Sequence, residues 1–182
     1  MSLVRSLRHA THRELRERLL AGHAVDPAAL AGFAYRGTAL GMPGFVERLS
    51  WKTFQKTFWR HTDGRLLGWN VRLHQDGVDA PSRPIERRGE PWCTWFYEVL
   101  PGGVPAPRGF DRGLFIDYAR GPNPRLDVIR WVKDPLVALS PGSADTLLGV
   151  SYAVVGGRCL TTPTWFTLER DHPITHVPSV LR

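Results

Sequence analysis

Gly32-Phe33-Ala34-Tyr35-Arg36-Gly37-Thr38-Ala39-Leu40 opens the stretch that decides the fold, which runs on through Trp51-Lys52-Thr53-Phe54-Gln55-Lys56-Thr57-Phe58-Trp59-Arg60 to Leu66-Leu67-Gly68-Trp69. Phe33, Tyr35 and Gly37 share one strand parity, since side chains alternate faces along an extended chain. Phe45, Val46 and Leu49 read as a short helical face. From Trp51 the spacing fits a helix or a strand. The Asp63-Gly64 turn signal behind it favours a strand, because this dipeptide supplies the positive φ angles of a tight hairpin. Phe54 and Phe58 share parity with Lys52, Lys56 and Arg60, which reads as an amphipathic strand with a solvated basic face. The return strand sets Leu67, Trp69, Val71 and Leu73 against Gly68, Asn70, Arg72 and His74.

On the N-terminal side, Leu3, Leu7, Leu15 and Leu19 make one apolar stripe, so residues 1–22 read as an amphipathic, Arg-rich helix. Asp26-Pro27 opens another short helix, with Asp as N-cap and Pro in the first turn. On the C-terminal side, residues 75–91 form a polar connection, and Trp92 to Leu100 is a strand apolar on both faces. Gly113 to Tyr118 is the next strand. Two short apolar runs follow, interrupted at Asp134-Pro135. Asp145–Val155 and Arg158–Arg170 are long strands joined at Gly156-Gly157, a second hairpin signal. One domain over residues 23–171 and an irregular tail over 172–182 complete the division. Alternating βα units are absent, so the expected fold is mainly β: a small antiparallel β-barrel or strongly curved sheet, capped by the N-terminal helix.

The 182 residues suffice for a core, and 42% hydrophobic with 23% charged content is ordinary for a globular chain. Met1 to Arg5 lacks the apolar core of a secretory signal, and a cytoplasmic location is expected. Cys93 and Cys159 fit no metal or redox spacing and are expected to be small buried hydrophobes rather than a disulfide. The net charge of +7 favours anionic partners, an anionic membrane surface among them. The basic residues are dispersed and no nucleic-acid module accompanies them, which disfavours nucleic acid.

Several blocks resemble the GXWXG-type family of small bacterial proteins. They are Ala24-Val25-Asp26-Pro27 through Leu30, Tyr35-Arg36-Gly37-Thr38, Gly44-Phe45-Val46-Glu47-Arg48-Leu49-Ser50-Trp51, Thr146-Leu147-Leu148-Gly149-Val150, and Trp165-Phe166 with Leu168-Glu169-Arg170-Asp171. Tyr35 stands where that family's motif has Trp, and Gly32 lies one residue too far from it. The resemblance implies a calycin-like barrel enclosing an apolar ligand, with no established reaction.

A barrel of this size can hold one small ligand in its mouth. Tyr35, Trp51, Trp69, Trp95, Tyr118 and Trp165 are the aromatic candidates for its wall, with Trp131 beside them. Arg36 is the first candidate for gripping an acidic group, since a guanidinium binds an oxyanion through paired hydrogen bonds, and Arg130 and Lys133 are the second. The expected function is binding of a hydrophobic or amphipathic, acidic, lipid-like molecule, without metal or cofactor. A second reading is an enzyme acting on a small aromatic or acyl substrate in the same cavity. It directs attention to Asp117, Tyr118, His61 and His74, although Asp117 and Tyr118 point to opposite faces of a strand. A third reading is a basic surface that engages anionic lipid or nucleic acid. No nucleophile elbow, phosphate loop or zinc motif occurs.

Overall fold

The computed structural model describes residues 3–41, 52–110 and 113–182. Trp51 and the Phe45–Leu49 segment therefore lie outside the described residues. Three short helices come first: α1 (Leu3–Leu7), α2 (His12–Leu20) and α3 (Pro27–Leu30). Ten strands follow: β1 (Phe33–Leu40), β2 (Thr53–Arg60), β3 (Leu66–Val71), β4 (Glu86–Arg87), β5 (Glu90–Pro91), β6 (Cys93–Leu100), β7 (Leu114–Asp117), β8 (Val132–Ala138), β9 (Thr146–Val155) and β10 (Arg158–Pro173). Eight of them close an antiparallel barrel in the order β1-β2-β3-β6-β7-β8-β9-β10 and back to β1. Strands β4 and β5 form a separate small hairpin inside the polar connection.

The turns follow their residues. Gly64 adopts φ +87° in the loop joining β2 to β3, where the His61 amide meets the Arg65 carbonyl. Gly156 and Gly157 both have positive φ between β9 and β10, as a two-residue hairpin of type I′ requires. The single helix expected over the N-terminus is two, because Thr11 starts a new one. Its hydroxyl accepts from the Glu14 amide while the Glu14 carboxylate accepts from the Thr11 amide, a complete capping box. Strand β8 runs through the expected break at Asp134-Pro135. Its ladder to β9 is paired at Lys133 and Leu136 on either side of the proline, which lacks a donor. The expected irregular tail continues β10 to Pro173 and ends in a 3-10 turn, Ser179–Leu181.

Both walls of the barrel are covered. Leu7, Leu15 and Leu19 pack with Val137, Leu148 and Trp165 on one outer face. Leu181, Ile174 and Val177 pack with Leu67, Trp69 and Val71 on another. Inside, one end is filled by Tyr35, Phe58, Leu66, Ile116, Leu136 and Leu168, with Leu30 of α3 and Val25 joining the same core. Gly37 and Gly149 face inward and admit neighbouring rings: a Cβ on Gly37 would meet the Phe54 ring at 2.2 Å, and one on Gly149 the Phe166 ring at 2.4 Å. Among the described residues no helix is long and apolar enough to cross a membrane.

Candidate functional site in the open half of the barrel

The other half of the lumen is a cavity of about 500 Å³, within the ~300–1,000 Å³ typical of small-molecule sites. Phe54, Trp95, Ile129, Val132 and Phe166 make most of its wall, and Lys56, Asn70, Tyr118, Asp134 and Ser151 meet in it. Strand parity places them there. Phe54 and Lys56 alternate inward on β2, and Asn70 on β3. Val132 and Asp134 do so on β8, Ser151 on β9, and Thr164 and Phe166 on β10.

The Lys56 ammonium donates to Asn70 Oδ1 at 3.1 Å and to the Tyr118 hydroxyl, and lies 3.3 Å from Asp134 Oδ2. These three partners match its three donors. Tyr118 donates to Asp134 Oδ2 at 3.0 Å, and the Ser151 hydroxyl to Asp134 Oδ1 at 2.8 Å. Lys56 is 2% exposed and Asp134 1%. The rings of Phe54, Tyr97, Tyr118 and Phe166 lie 5.0–5.7 Å from Nζ. Burial among them pulls Lys56 below the ordinary lysine range, against the opposing pull of Asp134. Burial, with Asp134 nearby, holds the Tyr118 and Tyr97 phenols well above theirs. Tyr97 anchors itself by donating to the Thr57 carbonyl at 2.8 Å.

Trp95 reaches the cavity through a bulge. Between the pairs Gly68–Tyr97 and Asn70–Thr94, strand β6 carries one extra residue, and Trp95 takes φ +50°, a left-handed conformation rare for a bulky side chain. Asn123 clamps the bulge. Its Oδ1 accepts from the Phe96 amide at 2.9 Å, and its Nδ2 donates to the Phe96 and Tyr118 carbonyls at 2.6 and 2.8 Å.

Of the residues the sequence singled out that are described, Trp95 and Tyr118 line the cavity and the others do not. Tyr35 faces inward but sits in the packed end, edge-on to Phe58. Trp69 and Trp165 face outward, beneath the C-terminal segment and beside the N-terminal helices. Arg36 is held outside by Ser82 and the Gly77 carbonyl. Arg130 donates to the Gly121 and Asn123 carbonyls. Asp117 lies on the opposite face from Tyr118 and is paired with Lys133, which is therefore held on the outer face and does not reach the cavity. His61 pairs with Asp63 at the β2–β3 turn, and His74 is exposed. Cys93 and Cys159 are free thiols, both partly buried, and burial pushes Cys93 up to about 12.

The reading of Lys56 as part of a solvated face is overturned: it is the most enclosed cation described. The signal was available in Phe54-x-Lys56-x-Phe58, where the lysine shares parity with two phenylalanines. Asn70, Asp134 and Ser151 carried no such mark. No known protein family matches the chain, and none of the curated proteins does either.

Proposed function

We propose that the barrel binds one hydrophobic or amphipathic small molecule, with the apolar body against Phe54, Trp95, Ile129 and Phe166 and an oxygen at the Lys56–Tyr118–Asp134 cluster. The observation that supports this reading is the juxtaposition of an apolar cavity and a buried polar cluster in one lumen. Asp134 balances the charge of Lys56, so the polar end best suited to this depth is neutral: a hydroxyl, ketone, aldehyde or ester oxygen. An acidic end fits nearer Arg72, which also lines the cavity. The proposed calycin-like kinship accords with this reading. Titration with decan-1-ol, followed by tryptophan fluorescence and native mass spectrometry, tests it. One molecule bound per chain, and lost in Ser151→Phe, is expected. No binding, or binding indifferent to that filling substitution, contradicts it.

A second observation favours a membrane as the source of the ligand. Among the described residues, five of the six exposed large hydrophobics belong to segments at the open end: Leu126, Val128 and Trp131 before β8, and Val155 and Leu160 at the β9–β10 hairpin. Leu126 is 96% exposed and Trp131 53%. Exposed Arg125 and Arg158 accompany them. Apolar side chains interleaved with arginine suit the interface of an anionic bilayer. Phosphatidylglycerol vesicles are expected to bind the protein, phosphatidylcholine vesicles much less, and Leu126→Glu/Trp131→Glu to abolish binding. Equal binding to both vesicles, or none, contradicts the membrane contact and leaves the lumen reading standing.

A further inference from the structure

We infer that Lys56 forms a reversible imine with an apolar aldehyde or ketone held in the lumen. The inference rests on the lumen being a ligand site and names the chemistry of the ligand's polar end. Three lysines occur, at 52, 56 and 133, and the other two serve as built-in comparisons. Lys133 is also buried, at 6% exposure, but it lies on the outer face against Asp117 and the Arg130 carbonyl. Lys52 is exposed. Lys56 alone of the three borders the cavity. Its Nζ stands among four aromatic rings that keep water from the amine, and a desolvated amine is the form in which lysine attacks carbonyl carbon.

The neighbours supply the proton steps. Asp134 takes a proton from the ammonium, leaving a neutral amine and a carboxylic acid. The amine lone pair adds to the carbonyl carbon as the C=O π pair moves to oxygen, and a proton passes from nitrogen to that oxygen to give a carbinolamine. The Asp134 carboxyl then protonates the hydroxyl, which leaves as water while the nitrogen lone pair closes the C=N bond. Lysine and aldehyde thus become a protonated imine and one water, with the positive charge again paired to the Asp134 carboxylate. Tyr118, which donates to Asp134 and accepts from Lys56, holds both groups in place throughout. No oxidant, metal or cofactor enters the balance.

The test is reductive trapping. The intact protein is incubated at neutral pH with decanal and cyanoborohydride, and the modified lysines are mapped by peptide mass spectrometry. Alkylation of Lys56 at least ~10-fold above Lys52 and Lys133, suppressed by excess decan-1-ol, is expected of an amine activated by its pocket. The competition arm uses the unsubstituted protein, so it does not depend on any variant folding. Decan-1-ol and decanal binding in the lumen with Lys56 modified no more than Lys52 overturns the imine while sparing the binding reading. Failure of both molecules to bind overturns both.

Discussion

Lys56 and Asp134 meet at 3.3 Å although β2 and β8 stand diametrically opposite, four strands apart in either direction around the barrel. Their ion pair is a strut across the lumen, with Tyr35, Phe58 and Leu136 in the packed end and the cavity on the other side. Removing one end of a buried pair strands the other charge. Lys56→Met is therefore expected to destabilise the fold by about 3–5 kcal/mol in urea denaturation. Adding Asp134→Leu is expected to recover much of that loss, and a double variant no more stable than the single one contradicts the strut.

The four tyrosines report on buried positions, Tyr35, Tyr97 and Tyr118 inside the barrel and Tyr152 on its outer face, where its hydroxyl donates to the Pro105 carbonyl. Burial raises the phenols of Tyr35, Tyr97, Tyr118 and Tyr152 above the ordinary value. An unfolded phenol ionises near pH ~10, so above that pH the folded chain holds more protons and stability falls as pH rises. Lys56 acts with the opposite sign: its charged form is disfavoured inside, so its contribution improves with pH up to the free-lysine value of ~10.4. Phenolate absorbance is expected to appear at a higher pH in the folded protein than in urea. A tyrosine titrating near 10 without unfolding contradicts this burial.

Asn123 is expected to control the shape of the cavity from outside it. Asn123→Ala leaves the bulge amide and two carbonyls without their partner, a loss of about 1–3 kcal/mol for a buried group. Trp95 fluorescence and decan-1-ol affinity are expected to change together. A change in stability with unaltered affinity contradicts the link from Asn123 through the bulge to the lumen.

Thr11→Ala removes the hydroxyl that caps α2, with an expected loss of about 1 kcal/mol. Leu15 and Leu19 of α2 pack on the barrel's outer face, not in the lumen, so ligand affinity is expected to hold. Equilibrium unfolding and decan-1-ol titration of this variant check both halves of the statement.

The architecture was legible because its determinants are local: Asp63-Gly64 and Gly156-Gly157 set hairpins, and alternating side chains mark the strands between them. The site was only half legible, because alternation gives parity and not the direction of the lumen. On β3 the apolar set Leu67, Trp69 and Val71 faces outward beneath the C-terminal segment, while Gly68 and Asn70 face inward. A lumen that holds polar groups inverts the usual rule that the more apolar face is the inner one. The bulge then breaks parity itself, so that Cys93 joins Phe96 on the outside although Trp95 and Tyr97 face in. Its clamp, Asn123, comes from 27 residues away, with nothing local to announce it.

The most direct measurement is native mass spectrometry of the protein with decan-1-ol, run beside Ser151→Phe. A single molecule retained per chain by the natural protein and lost from the variant is the result this account predicts. A natural protein that retains none, or a filled variant that retains it equally well, would contradict a ligand site in the open half of the barrel.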